Sequence, residues 1–241
     1  MNRLDGRQPD QMRSVNLTPD YIIYPEGSVL IAMGNTKVLC NVSIEEGAPR
    51  WKQQAGLPGG WITAEYALLP RSTHTRTARE TRGLKGRTQE IKRLIGRSLR
   101  ASVDLEKLGP RICTIDCDVI QADGGTRTAS ITGSYVALAL ALQKLTSQGE
   151  LPKNVIKSPV AAISVGLIDG SPMLDLCYEE DFAADVDVNI VMNDQRQFIE
   201  VQGTAEGAAF DRQALDSMLS LAEKGIGELL DIQKVTLEQR K

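Results

Sequence analysis

The sequence predicts an α+β fold made of two similar strand-rich halves with packed helices. Short runs in which apolar and polar residues alternate, a pattern typical of half-buried strands, occur in both halves. Each half then ends in a long stretch that has the composition and period of a packed helix. Between the halves, Ser147-Gln148-Gly149 and the nearby Pro152 form a helix stop. We therefore expect two halves, 1–150 and 151–241, packed as one compact unit.

The composition bounds the class of protein. The 241-residue chain is 41% hydrophobic but only 4% aromatic, so aliphatic side chains must fill one substantial core. No apolar stretch is long enough to span a membrane, and the charged N-terminus is unlike a signal peptide. The cysteine and histidine spacing does not predict a zinc site, so we expect reduced, buried thiols in a cytoplasmic protein. The four cysteines fall in predicted strands: Cys40, Cys113, Cys117 and Cys177.

In the first half, residues 1–20 are polar and are predicted to wrap the surface. Alternation then predicts four strands: 28–33, 37–44, 61–69 and 112–120. Residues 71–86 have little apolar periodicity and are predicted to form a loop or a short irregular helix. A helix with one apolar face follows, for which Thr88 is a suitable N-cap and Glu90 a suitable first-turn residue. Residues 129–145 are apolar almost all round, which predicts a buried helix.

The second half repeats the order of strands followed by a helix. Alternation predicts four further strands: 160–168, 173–178, 185–192 and 197–203. The first two flank Asp169-Gly170-Ser171, which is a hairpin signal. A long helix with one apolar face is predicted over residues 211–233. No residue-level repeat relates the two halves, so their similarity is inferred from the order of elements alone.

The turn Gly124-Gly125-Thr126-Arg127 joins a strand end to a helix start. Glycines let consecutive N–H groups point at one place, and a helix start adds unpaired N–H donors and a partial positive charge. Thr126 and Thr128 add hydroxyls, Arg127 adds a guanidinium, and Arg87 stands where it can reach the same place. The turn therefore predicts a phosphate site, although it is neither a Walker P-loop nor a dinucleotide fingerprint. The alternative is an ordinary strand-to-helix turn capped by threonine, with Arg127 in solvent.

Carboxylates are concentrated at two places in the second half. Glu179-Glu180-Asp181 is predicted to close one strand, and Asp185, Asp187 and Asn189 share one face of the next. If the two strands pair, Asp181 and Asp187 lie near the same strand end. Close carboxylates bind a hard cation such as Mg²⁺, or one of them acquires a raised pKa and acts as a general acid. The alternative is an acidic turn that faces water.

The charge of the chain is unevenly distributed. The net charge is −3, yet residues 71–100 contain ten lysines and arginines and only two acidic residues, Glu80 and Glu90. One basic segment in an otherwise acidic protein indicates a polyanion binder. The alternative is a solvated helix face with some salt bridges between subunits. Together with the phosphate turn and the acidic pair, the segment favours a phosphoryl or nucleotidyl transferase.

Several stretches also resemble one known family, and they run from the first ten residues nearly to the final helix. They are Asp5-Gly6-Arg7, Gly27-Ser28-Val29-Leu30, Trp61-Ile62-Thr63-Ala64-Glu65-Tyr66, Leu69-Pro70-Arg71, residues 121–133 and residues 199–207. Residues 121–133 read Gln-Ala-Asp-Gly-Gly-Thr-Arg-Thr-Ala-Ser-Ile-Thr-Gly, and residues 199–207 include Gly203-Thr204-Ala205-Glu206-Gly207. In this order they are similar to the signature motifs of ribonuclease PH, a family of bacterial phosphorolytic exoribonucleases.

The resemblance implies a fold of the ribosomal protein S5 domain 2 type, in a homo-hexamer built as a trimer of dimers. It implies trimming of tRNA precursors and other RNA 3′ ends, ribosomal RNA included, with inorganic phosphate in place of water. The products are nucleoside 5′-diphosphates, and the reaction can reverse. By the same resemblance, phosphate is held by Arg87, Gly125, Thr126 and Arg127. The catalytic acidic pair is Asp181 and Asp187, and RNA meets the arginine-rich segment at Arg71, Arg76, Arg79 and Arg82.

A mechanism follows as a hypothesis. Arg87, Arg127 and the turn amides orient phosphate for in-line attack, Mg²⁺ is held by the acidic pair, chiefly Asp187, and Asp181 protonates the departing 3′-oxygen. The division of roles between the two aspartates is open because coupled carboxylates can exchange duties, and the role of Asp185 is also open. Two other functions compete: a small-molecule kinase whose glycine turn holds ATP, and a non-catalytic ring subunit that only binds RNA.

Overall fold

The computed structural model describes residue 3, residues 5–207 and residues 209–240. Its strands are β1 (Val15–Pro19), β2 (Gly27–Met33), β3 (Thr36–Glu46), β4 (Trp61–Leu68), β5 (Arg111–Gln121), β6 (Val160–Ile168), β7 (Ser171–Leu174), β8 (Val186–Asn193) and β9 (Phe198–Ala205). Its helices are α1 (Arg50–Gln54), α2 (Gly86–Ser102), α3 (Thr126–Ser147), α4 (Tyr178–Ala183) and α5 (Arg212–Glu238). The predicted α+β class with two strand-rich halves is confirmed.

The first sheet has the order β1-β2-β3-β5-β4. All neighbours are antiparallel except β4 and β5, which are parallel and are joined by the crossover helix α2. On β5 the alternation predicted from the sequence is present, since Cys113, Ile115, Cys117 and Val119 are buried. β5 therefore ends at Gln121, just before the glycine turn and at the same edge of the sheet as the end of β4.

Helix α3 lies between the two sheets. It packs on β2 and β3 of the first sheet and on β6 of the second. Nearly all residues from Thr126 to Leu142 are buried, which explains why the helix is apolar almost all round. The predicted buried helix is confirmed, and it begins three residues earlier than the apolar run because Gly125 forms its N-cap.

The second sheet is antiparallel throughout, with the order β7-β6-β8-β9. Helix α5 covers β6 and β7 with its apolar face. One continuous apolar cluster contains residues of both sheets and of α2, α3 and α5. Both halves therefore share a core, and α3 is the element common to them.

Three predictions of local structure are wrong. The strand predicted over 173–178 stops at Leu174, because Asp175 adopts a left-handed backbone (φ 54°) and α4 begins at Tyr178. Thr88 is not the N-cap of α2, which begins at Gly86. The Thr88 hydroxyl instead donates to Glu80 at 2.9 Å. Glu90 lies beyond the first turn of the same helix.

The prediction that residues 1–20 wrap the surface is wrong for two arginines. Arg3 and Arg13 are buried, and residues 15–19 form β1 (positions 1, 2 and 4 lie outside the described residues). Three cysteines are buried in strands as predicted, but Cys177 is the N-cap residue of α4. Among the helices that the structure describes, none is both long and apolar enough to cross a membrane.

Two glycines on α5 provide a matched test of its packing. A Cβ at Gly225 would lie 2.8 Å from Ile163 Cδ1 and 2.9 Å from Leu174 Cδ1, whereas a Cβ at Gly227 would meet nothing within 4 Å. Gly225→Ala should therefore lower the free energy of unfolding by about 1–3 kcal/mol through overpacking. Gly227→Ala should raise it by about 0.5–1 kcal/mol through helix propensity. Denaturant unfolding of the two variants measures both, and equal effects would contradict the described contact of α5 with β6 and β7.

Candidate active site

A cavity of about 510 Å³ opens between the glycine turn, the start of α2, helix α4 and strand β8. It is lined by all six residues that the sequence predicted for phosphate binding and catalysis: Arg87, Gly125, Thr126, Arg127, Asp181 and Asp187. These residues come from both halves of the chain. The structure therefore brings together two groups that the sequence placed about 55 residues apart, as judged from Thr126 and Asp181.

The glycine turn requires glycine for two reasons. Gly124 and Gly125 both have left-handed backbones, with φ of 74° and 65°. A Cβ at Gly124 would also lie 2.5 Å from the carbonyl oxygen of Leu176. Helical pairing of α3 starts with the amide of Ala129, which donates to the Gly125 carbonyl at 3.0 Å. The N–H groups of residues 126–128 precede that bond and form the positive end of the helix.

The two threonine hydroxyls of the turn are already engaged. The Thr126 hydroxyl is 2.9 Å from the Tyr66 hydroxyl, and the Thr128 hydroxyl donates to the Gly125 carbonyl at 2.9 Å. Thr128 is only 1% exposed, so the prediction that its hydroxyl adds to the phosphate site is wrong. Thr126 lines the cavity, and either its hydroxyl or that of Tyr66 is the donor in their contact.

Arg127 is held by two residues that sequence reasoning did not place in the site. Its Nη1 donates to Gln202 Oε1 at 2.6 Å and to Glu90 Oε2 at 3.2 Å. Gln202 in turn donates from Nε2 to Glu90 Oε1 at 3.1 Å. With 16% of its side chain exposed, Arg127 is not the solvent-facing residue of the alternative interpretation. The only signal in the sequence for Gln202 was its position in the stretch 199–207, which resembles the family.

Arg87 is the second residue of α2 and is exposed at the cavity rim. Its charge acts inside the cavity, since it lowers the pKa of both Asp181 and Asp187. Because Thr88 was predicted as the N-cap, Arg87 was placed just before the helix, whereas the helix begins at Gly86 and includes Arg87. Its position at the start of the helix, beside the site, is as predicted.

One of the two aspartates of the acidic pair lies on a different secondary-structure element from the one predicted. Asp187 lies on β8 as expected, but Asp181 lies on α4 and not at a strand end. Burial and, after it, the nearby charge of Asp181 together raise the pKa of Asp187 to about 6, while Arg127 opposes the shift. Partial desolvation likewise raises the pKa of Asp181, against the lowering effect of Arg87 and Arg127. Both carboxyl groups are therefore easier to protonate than ordinary aspartates.

One carboxylate oxygen of the pair lacks a partner. Asp187 Oδ2 accepts a hydrogen bond from Asn189 at 3.1 Å, but Oδ1 is buried without a hydrogen bond among the described residues. An unpaired buried acceptor fits a hard cation, and Mg²⁺ typically uses one or two carboxylates together with water and phosphate oxygens. The described residues contain no group of three or more acidic, histidine or cysteine ligands, so a cation here would need such outer ligands.

The turn between β7 and α4 is fixed by arginines of the N-terminal segment, which sequence reasoning missed. Arg13 donates from Nε and Nη2 to the two carboxylate oxygens of Asp175 at 2.9 and 2.6 Å. Arg3 binds Glu180 in the same way at 2.8 and 2.6 Å, and Arg7 adds a contact to Glu180 at 3.4 Å. Asp175 and Glu180 bracket the start of α4, so these ion pairs set the position of Asp181.

Arg13 also reaches the glycine turn, because its Nη1 donates to the carbonyl of Asp123. No stretch quoted for the family resemblance contains Arg13, whereas Arg7 lies in Asp5-Gly6-Arg7, to which no function was assigned. Asp185, whose role was open, is exposed, and its amide and carbonyl bond to Leu167 and Glu206.

The four arginines that were predicted to meet RNA do not line this cavity. Arg71, Arg76, Arg79 and Arg82 are all exposed, and they are spread along the chain between β4 and α2. Arg71 lines a second cavity of about 830 Å³ that shares Thr73, His74, Ala122 and Tyr178 with the first. The role of these four arginines in binding RNA therefore stays a prediction.

Comparison with known proteins shows the family of the chain. The 3′ exoribonuclease family matches the chain with its domain 1 over residues 11–142 and with its domain 2 over residues 158–225. A ribonuclease PH of Corynebacterium efficiens is 56% identical over 237 residues, which cover 98% of this chain and 96% of the relative. Ribonuclease PH of Corynebacterium diphtheriae is 57% identical over 240 residues, 99% of this chain and 98% of the relative.

Solved structures share the fold at low identity. Rice Rrp46 superimposes with a TM-score of 0.80 at 19% identity, over 98% of this chain and 100% of that chain. A chain of the Archaeoglobus fulgidus exosome with RNA bound to the active site gives 0.78 at 22% identity, over 95% and 92%. With both family domains matched and more than half of all positions identical to curated relatives along nearly their full length, the chain belongs to the ribonuclease PH family of 3′ exoribonucleases.

Proposed function

We propose that the cavity between the glycine turn and the two aspartates is where inorganic phosphate attacks the last phosphodiester bond of an RNA. As a member of its family, the chain is a phosphate-dependent 3′→5′ exoribonuclease that acts on tRNA. The observation that carries the assignment of the site is that one cavity is lined by the anion-binding turn, two arginines and two carboxylates. A small-molecule kinase would explain neither the family match nor the basic segment. A ring subunit that only binds RNA would need no such acidic pair.

Phosphate binds at the positive end of α3. The N–H groups of Thr126 and its neighbours, together with the charges of Arg127 and Arg87, hold the anion and point one oxygen at the scissile phosphorus. Because these donors are fixed before the substrate arrives, little reorganisation is needed when charge develops during attack. Attack in line releases a nucleoside 5′-diphosphate, and the reverse reaction extends the RNA.

The acidic pair serves protonation of the departing 3′-oxygen. Burial raises the pKa values of Asp181 and Asp187, which makes these carboxyl groups easier to protonate and supports donation to the leaving group by Asp181. The unpaired Oδ1 of Asp187 supports a role in holding Mg²⁺ together with Asp181. A Mg²⁺ ion held by Asp181 and Asp187 would supply charge neutralisation for the reacting phosphates.

The exposed arginines between β4 and α2 bind the body of a tRNA precursor. In a homo-hexamer, arranged as a trimer of dimers, six copies of Arg71, Arg76, Arg79 and Arg82 would form a wide positive surface. Exposed apolar residues outside the cavity, including Tyr24 at 87% and Ile23 at 83%, support burial in such an assembly. The three buried free thiols support a reducing, cytoplasmic location.

One assay tests the reaction class. Incubation of a 3′-labelled oligonucleotide with the protein, Mg²⁺ and phosphate should yield nucleoside diphosphate, and omission of phosphate should stop the release. Nucleoside monophosphate as the product would indicate hydrolysis, and the absence of any product would indicate a binding role.

Arg127→Ala should slow phosphorolysis at limiting phosphate by about 10²–10³, because charge-assisted bonds to the nucleophile are lost. Binding of RNA, measured by fluorescence anisotropy, should change little. Arg212→Ala, which removes an exposed arginine at the start of α5, is the matched control. A near-normal rate of the Arg127 variant at limiting phosphate would remove this residue from the site.

Asp187→Asn should abolish turnover and also stabilise the fold in a pH-dependent way. Since the pKa of Asp187 is raised to about 6, the native protein binds this proton more tightly than the unfolded chain, and ionisation weakens the native state as pH rises. Above about pH 7 the variant should exceed the wild type by about 1–3 kcal/mol in free energy of unfolding. The difference should vanish below about pH 4, the ordinary range of aspartate.

Denaturant unfolding across this pH range measures the effect, with Asp185→Asn as the control at an exposed carboxylate two positions away. If the Asp187 variant were less stable than the wild type at every pH, its carboxylate would not be buried at an energetic cost.

Replacing Arg76 and Arg79 by alanine should weaken tRNA-precursor binding and reduce its salt dependence by about one unit of slope per lost phosphate contact. Activity on a short oligonucleotide should survive, because a short strand reaches only the cavity. Lys153 and Lys157, which are exposed in the second half, provide a double alanine control of equal charge change. If both substrates lose activity and the protein sediments as a smaller species, the arginines hold subunits together.

A further inference from the structure

Arg127 lines the cavity, and only one of its three guanidinium nitrogens is hydrogen-bonded to a described residue. Both hydrogen bonds of its side chain within the described chain start from Nη1, with Gln202 Oε1 and Glu90 Oε2 as acceptors. Nε and Nη2 donate to none of the described residues. The planar fork therefore retains the pair of donors that can bind an anion through two parallel bonds.

The same edge binds oxyanions elsewhere in this protein. Arg3, Arg13 and Arg97 each use Nε and Nη2 to grip the two oxygens of one carboxylate, at distances of 2.6–2.9 Å. The Nε–Nη2 edge of Arg127 makes no hydrogen bond with the described residues, and the cavity that Arg127 lines is also lined by the glycine turn. Two oxygens of a phosphate match this edge as two oxygens of a carboxylate do.

The two residues that occupy Nη1 also bind each other. Gln202 Nε2 donates to Glu90 Oε1 at 3.1 Å, while Gln202 Oε1 accepts from Arg127 at 2.6 Å. A glutamine is suited to this position because one amide supplies both an acceptor for the arginine and a donor for the glutamate. The three residues belong to α2, α3 and β9, so the arrangement ties a side chain of the site to both halves.

We propose that Glu90 and Gln202 act as a positioning pair, which holds Arg127 by Nη1 so that its Nε–Nη2 edge faces inorganic phosphate. This inference rests on the proposed role of the cavity in phosphorolysis. A free arginine side chain has many rotamers, and fixing it before phosphate arrives removes an entropic cost from binding. Neither Glu90 nor Gln202 touches phosphate, so both act through Arg127.

The test is the dependence of phosphorolysis on phosphate concentration, with a short unstructured oligonucleotide at saturation. Gln202→Ala and Glu90→Ala should each raise the KM for phosphate about tenfold, the effect of losing one charge-assisted contact. The KM for the oligonucleotide and the thermal midpoint of unfolding should stay near the wild-type values, because both side chains are partly exposed. Gln213→Ala, at an exposed glutamine of α5, is the matched control.

The decisive measurement is a double-mutant cycle. In an Arg127→Ala background, neither Gln202→Ala nor Glu90→Ala should raise the KM for phosphate further, because a positioning pair has no effect without the residue that it positions. Additive increases, or a lower KM for phosphate in Glu90→Ala, would overturn the proposal. If Arg127→Ala alone raises this KM while the two single variants do not, only the positioning role fails. If Arg127→Ala leaves it unchanged, the phosphate site itself is wrongly assigned.

Discussion

The buried ion pair between Arg13 and Asp175 holds the site together. Asp175 is fully buried and adopts a left-handed backbone that aspartate tolerates only with support. Both of its carboxylate oxygens accept from the Arg13 side chain, and the Arg13 amide adds a third bond at 2.8 Å. Removing one partner of such a pair leaves an uncompensated charge and typically costs about 3–5 kcal/mol. The turn that ends β7 and starts α4 therefore depends strongly on Arg13.

The same arginine couples this turn to the phosphate side of the site. Its Nη1 donates to the carbonyl of Asp123, directly before the glycine pair. Gly124 then packs against the backbone at Leu176, so closely that no side chain fits between them. The glycine turn and helix α4 are therefore packed directly against each other. This packing keeps the two carboxylates near Arg87 and Arg127 despite the repulsion between their like charges.

The features that the sequence predicted well depend on local pattern. A stretch of about 20 residues is enough to recognise the alternation of β5, the apolar run of α3 or the glycine pair. The features that it missed depend on distant contacts. No local pattern shows that Asp175 ends a strand, because its partner Arg13 lies 162 positions away. The same holds for Gln202, which meets Arg127 across 75 positions. Thr88 failed as a cap because Glu80 competes for its hydroxyl.

The division of the site between the two halves has a consequence for synthesis of the protein on the ribosome. The glycine turn, Arg87 and Arg127 are translated early and belong to the first sheet and α3. The carboxylates and Gln202 arrive only with α4, β8 and β9, near the end of the chain. A nascent chain can therefore present the glycine turn before the two carboxylates that share its cavity have been made. Because the cavity is lined from both halves, it is complete only after most of the chain has been translated.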